Sequence, residues 1–102
     1  MQQEFDWKNI KITGVSDETI FRKMIEAGVH WFKNNPDECE YWFRFGLGNS
    51  LNKKLRDHLK SIVNVSFDID LARMAIVHAF FIYRLGWRNY VYVIKNGWIE
   101  CK

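Results

Sequence analysis

Three histidines, two cysteines and a scatter of carboxylates are the groups in this chain best suited to chemistry. Their spacing assembles no catalytic set. His78 falls among Leu71, Met74, Ile82 and Leu85 on a helical wheel of about 100° per residue. To act as a general base there it would need a carboxylate or nucleophile from another element. The competing reading is a neutral core histidine, hydrogen-bonded to backbone or to a hydroxyl. His30 and His58 lie on or beside polar faces. Cys39 and Cys101 lie far apart and neither has a second Cys or a His at metal-ligand spacing, so no zinc site and no cofactor is indicated. Asp68 with Asp70, and Glu38 with Glu40, stand near helix starts, where capping and the helix dipole explain them. The chain therefore reads more as a binding protein than as an enzyme.

Two groups of basic residues could recognise a partner. Lys53, Arg56 and Lys60 share one helix face, with Arg44 nearby in sequence. Such a stripe binds phosphates without regard to base sequence, or is simply the solvated side of an amphipathic helix, and Asp57 interrupts it. Arg73 and Arg84 fall close together on a different wheel, with Val77 between them and Phe80 beside them. Arginine next to aromatic rings is typical of interface hot spots. Alternatively, each arginine pairs with an acidic residue such as Glu26 or Glu38. The segment Phe45–Ser50, FGLGNS, superficially suggests a phosphate loop, but it lacks a Gly-Lys-Ser/Thr ending and follows a helix. A helix stop with a tight turn accounts for it as well.

Positioning these residues falls mainly to the stretch Leu71–Trp87, LARMAIVHAFFIYRLGW. Only Arg73, His78 and Arg84 in it are ionisable, so almost the whole circumference is apolar. Such a helix is either a buried central helix or a membrane span. A span needs roughly 20 apolar residues, and a charge near the bilayer centre costs at least ~2.5 kcal/mol. Asp68 and Asp70 precede the run and His78 lies at mid-depth, which favours the core. The opening MQQEFDWKNIK has early acidic residues and no apolar core, so it does not read as a signal peptide. A soluble, cytoplasmic chain with reduced thiols is expected.

Around that axis the pattern predicts a single domain over residues 1–102 in an α+β fold. About four helices surround or include the central apolar one, followed by a C-terminal β-hairpin. Lys8–Thr13, KNIKIT, alternates polar and apolar and predicts a short strand that could join the hairpin as a third. A helix is predicted from about Asp17 to Lys33 with Ser16 as N-cap. A second runs over about Pro36–Phe45, with Asn35 as cap and Glu38 completing a capping box. A third covers about Ser50–Ile62, with Leu51, Leu55, Leu59 and Ile62 on its apolar stripe. The central helix takes Ser66 or Asp68 as cap and stops at Gly86. Tyr90–Ile94 and Trp98–Cys101 flank Lys95-Asn96-Gly97, and Asn-Gly between β-rich runs is the strongest short hairpin signal.

Composition sets the remaining bounds. Of the 102 residues 48% are apolar and only one is proline, which excludes a disordered chain. Five Trp, eight Phe and four Tyr are more large rings than so small a core readily encloses. Some are expected at the surface, where aromatic area marks partner interfaces or where rings sit half-buried with polar edges outward. The net charge of +3 permits nucleic-acid contact without indicating it.

The run Trp42–Gly48, WFRFGLG, then a polar helix, then Phe67-Asp68-Ile69-Asp70 opening an apolar helix that ends at Leu85-Gly86, resembles a small uncharacterised bacterial domain of unknown function. The resemblance covers about half the chain. Asn52-Lys53-Lys54 stands where that domain has an Arg-Asn pair, and the resemblance implies no activity. From size and composition, the expected function is a small non-catalytic protein-binding module. Small inhibitors, immunity proteins and accessory proteins of phages or mobile elements are of this class. The residues expected to touch another protein are Trp7, Trp42, Trp87, Trp98, Arg73 and Arg84. A nucleic-acid-binding module using Arg44, Lys53, Arg56 and Lys60 is the alternative, and self-association into a homodimer is a third reading.

Overall fold

The structure is a computed structural model that describes residues 5–7, 17–45, 53–63 and 68–96. All regular secondary structure among them is helical: α1 (Glu18–Asn34), α2 (Pro36–Phe45), α3 (Lys53–Ile62), α4 (Ile69–Leu85) and α5 (Trp87–Lys95). The expected α+β class is thereby overturned, and the hairpin with it. The strand expected over Lys8–Thr13 lies outside the described residues, as does Trp98–Cys101.

The hairpin fails for a readable reason. Trp87, Tyr90, Val91 and Ile94 recur at the three- and four-residue spacing of a helical face, and that face packs on the core. Burial of this stripe outweighs the β propensity of its valines, isoleucine and tyrosines. Asn96 then serves as a helix stop. It has φ −94° and ψ 5°, far from the positive φ of a type I′ turn. Its backbone N–H reaches the Tyr92 carbonyl at 3.1 Å and its side-chain amide donates to the same oxygen at 2.8 Å.

The other helices start largely as their sequences dictate, with the cap of α1 moved by one residue. Asp17, not Ser16, caps α1, its carboxylate accepting from the Ile20 N–H at 3.1 Å; Ser16 lies outside the described residues. Asn35 separates α1 from α2, and its side-chain amide donates backward to the Trp31 carbonyl at 2.9 Å. Asp68 caps α4, accepting from the backbone N–H groups of Asp70 at 2.9 Å and Leu71 at 3.2 Å. Gly86 ends α4 with φ 86° and ψ 156° and at once begins α5, donating to Ile82 and accepting from Tyr90.

The core lies between α1 and α4, whose contact is the most extensive in the chain. Phe21, Met24, Ile25, Val29 and Phe32 of α1 face Ala72, Ala75, Ile76, Ala79 and Phe80 of α4. Small residues let the two backbones approach: a Cβ on Gly28 would lie 2.7 Å from the Ala79 Cβ. Leu55 and Leu59 of α3 and Tyr90 of α5 close the sides. Helix α4 packs mainly on α1 and α5, while α2 and α3 pack mainly on α1, so the expected grouping of the helices around α4 is not what is found among the described residues. Asp70, Arg73 and Arg84 keep one stripe of α4 at the surface. Among the described residues no helix is long and apolar enough to cross a membrane.

Candidate functional site

Two of the tryptophans expected at the surface meet each other. Trp7 and Trp87 pack edge to face, centroids 5.0 Å apart at 81°, and Phe5 contacts both rings. The Trp7 indole N–H donates to the Glu26 carboxylate at 2.8 Å, and the Arg22 guanidinium lies 5.2 Å from its ring centre. Arg22 itself pairs with Glu18 one turn back. Both indoles are half-buried. Trp7 is therefore chiefly a cover for the flank of α1 around Arg22 and Glu26, while Trp87 also lines a cleft. The side chain of Trp42 and all of Trp98 lie outside the described residues.

The two arginines of the α4 stripe have separate surroundings. They are eleven residues apart, which is about 16 Å along a helix. Arg73 is exposed and pairs with Asp70 at 3.4 Å. Arg84 reaches across to α2 and binds Glu40 at 2.7 Å, so Glu40 takes the place expected for Glu26 or Glu38. Arg44 approaches the other Glu40 oxygen at 3.6 Å. Hydrogen bonding to Arg84, with a smaller contribution from Arg44, holds the Glu40 carboxyl below its ordinary range. Beneath this pair lies Cys39, almost fully buried. Burial raises the thiol's pKa and the Arg84 charge only partly opposes that, so the sulfur is kept as a thiol rather than a nucleophilic thiolate.

His78 is buried in the core. Its Nδ1 meets the Tyr90 hydroxyl at 2.8 Å and its ring stands edge-on to Phe21. Burial lowers its pKa to about 4, so the imidazole is neutral near pH 7. A buried, neutral histidine holding a tyrosine across a helix interface has the geometry of a core fastener. Among the described residues no group of three His, Cys, Asp or Glu side chains could hold a metal.

On α3 the basic residues face outward while Leu55 and Leu59 turn in. Lys53 pairs with Asp57 at 2.8 Å, and that contact, helped by Lys60 and Arg56, lowers the Asp57 pKa. Arg44 belongs to α2 and faces Glu40. The ring nearest this helix is Trp31, half-buried and tilted against His58 at 5.7 Å.

The helical form of Trp87–Lys95 creates a surface that the strand reading hid. Arg88, Tyr92 and Lys95 fall within about 60° of one another on its wheel, and all three are exposed, Tyr92 by 59%. Beside them is a cleft of about 260 Å³ lined by Asp6, Trp87, Arg88, Val91 and Lys95. That is below the roughly 300–1,000 Å³ of ordinary small-molecule sites, but enough for a side chain of a docked protein. The signal was present in the spacing Trp87, Tyr90, Val91, Ile94, which assigns Arg88 and Lys95 to the flank of that face and Tyr92 to the outward side. Comparison with protein-family models, with curated proteins and with solved structures finds no match to this chain.

Proposed function

We propose that this protein acts without catalysis, by occupying a surface of another protein with the outer face of α5. The observation that carries the reading is the exposed stripe Arg88–Tyr92–Lys95 alongside the half-buried Trp87 and Val91. Tyr, Trp and Arg are the residues most enriched at binding hot spots, and a central ring with a charged rim is the usual anatomy of an interface. The titratable groups best suited to chemistry have structural partners instead: His78 holds Tyr90, Glu40 holds Arg84, and Cys39 is covered. A small inhibitor or immunity-type protein working in the cytoplasm fits this description. Of the residues expected from sequence, Trp87 belongs to this surface, whereas Arg73 and Arg84 form ion pairs elsewhere.

Nucleic-acid binding through α3 is the second reading, supported by four outward basic residues against one acidic one over Lys53–Lys60. It ranks lower because Lys53 is paired with Asp57 and the adjacent indole is half-buried rather than offered for stacking.

Site-specific photo-crosslinking in the native cell tests the choice. A photoreactive phenylalanine analogue at position 92 should capture one defined protein, and the same analogue at position 54 on α3 should not. Reconstituted with the purified partner, Tyr92→Ala should weaken the complex by about tenfold or more. Capture of nucleic acid from position 54, or only of a second copy of this chain from position 92, overturns the proposal.

A further inference from the structure

The cleft on α5 indicates what kind of partner it takes. Its floor is apolar, from Trp87 and Val91 one turn apart, and two cations, Arg88 and Lys95, line it from one flank of the helix, two turns apart. No ion pair or hydrogen bond engages either cationic side chain among the described residues, and α5 contains no carboxylate to neutralise them. Several other helix cations, Arg22, Arg44, Lys53, Arg73 and Arg84, each face a carboxylate of their own or a neighbouring helix. Among the described residues that line the cleft, two are cationic and one, Asp6, is acidic.

Resting on the protein-binding reading above, we infer that this cleft receives an acidic amphipathic helix of the partner. Arg88 and Lys95 are seven residues apart, two helical turns or about 10 Å along the axis. Two carboxylates at positions i and i+7 of a facing helix repeat that distance on one side. A bulky apolar side chain midway between them, at i+3 or i+4, then reaches the Trp87–Val91 floor. Helix-in-groove docking uses this anchor spacing, and the complementary charges fix its register. Asp6 works against the incoming carboxylates, so it limits affinity for an acidic ligand and would favour a basic one.

The probe is a fluorescein-labelled helical peptide in which two glutamates seven residues apart flank a phenylalanine midway, titrated against the full chain by fluorescence anisotropy. Saturable binding is expected. It should weaken at least tenfold for Arg88→Glu and for Lys95→Glu, strengthen for Asp6→Asn, and be unchanged for Lys54→Glu on α3. Replacing the peptide's phenylalanine by alanine, or both glutamates by glutamine, should abolish it. Circular dichroism of each variant confirms that the helices persist, as the substituted groups are exposed. Absence of binding by the wild type, tighter binding of a lysine version of the peptide, or equal loss with Lys54→Glu overturns the inference. So does displacement of the peptide by a single-stranded oligonucleotide as effectively as by unlabelled peptide. If the crosslinked partner binds with dependence on Tyr92 but not on Arg88 or Lys95, the acidic-helix inference fails while the protein-binding function stands.

Discussion

His78 on α4 and Tyr90 on α5 meet through a 2.8 Å hydrogen bond inside the protein, both side chains essentially inaccessible to water. The bond joins α4 to α5, the helix that bears the candidate surface. Removing the hydroxyl in Tyr90→Phe keeps the ring and its packing but takes the hydroxyl away from the imidazole Nδ1. An unsatisfied buried polar group costs about 1–3 kcal/mol. Urea denaturation of Tyr90→Phe is expected to show a loss in that range, and a change below about 0.5 kcal/mol, the usual span for surface substitutions, would show that the bond contributes little. A cycle with His78→Phe isolates the pair from its surroundings.

The same histidine makes stability depend on pH. Its pKa is lowered from 6.5 to about 4 by burial, so between those values the unfolded chain binds a proton that the folded chain refuses. Stability therefore rises with pH across this window. The contribution is fully present above pH 6.5 and is lost as pH falls toward 4, for a total on the order of 3 kcal/mol. Chemical denaturation from pH 7 to pH 4 should show this decline, and His78→Gln should flatten it. Glu40, whose pKa is lowered by Arg84, adds a loss of the same sign below its ordinary titration range. Arg84→Ala separates the two: it should remove that acidic limb and leave the His78 slope intact.

Gly28 marks where α1 and α4 come closest. A methyl group there would sit 2.7 Å from the Ala79 Cβ and 2.8 Å from the Ile76 Cδ1. The isoleucine terminus can rotate away, whereas the Ala79 methyl moves only with its backbone. Overpacking of this kind costs about 1–3 kcal/mol, against which the better helix propensity of alanine returns up to about 1 kcal/mol. Gly28→Ala should lower stability by about 1–2 kcal/mol in thermal or urea unfolding. An increase would mean that the helices part without loss.

These sites show what was legible in the sequence. The four longer helices could be read from apolar spacing and caps, because Asp68, Pro36 and Gly86 act locally wherever the chain goes. The extensive burial of α4 followed from its nearly continuous apolar circumference, and its exposed edge followed from Arg73 and Arg84. Helix α5 was misread because Tyr90–Ile94 is rich in strand formers and precedes Asn96-Gly97, both local signals. What decides its structure is non-local: Trp87 and Tyr90 find Phe5, Trp7 and His78 to pack against. The candidate surface was missed for the same reason. In a strand Arg88 and Lys95 point to opposite faces, and only the helix brings them to one side around Tyr92. Glu40 as the partner of Arg84 depends on how α2 lies against α4, which no spacing within either helix reveals.

Gly86 presents the opposite case to Gly28. Nothing lies within 4 Å of where its Cβ would be, yet its φ is 86°. With ψ at 156° it occupies a region essentially reserved for glycine, where another residue costs about 1–3 kcal/mol. This conformation lets α4 end and α5 begin without an intervening loop, so it also sets the angle at which α5 lies on the core. Gly86→Ala should therefore destabilise through the backbone alone and loosen α5 before the rest of the bundle. Hydrogen exchange distinguishes this from a general loss: amides of α5 should exchange faster while those of α1 and the middle of α4 keep their relative protection. Uniform acceleration would mean that α5 is not separable from the core, and unchanged exchange would mean that the turn tolerates a side chain.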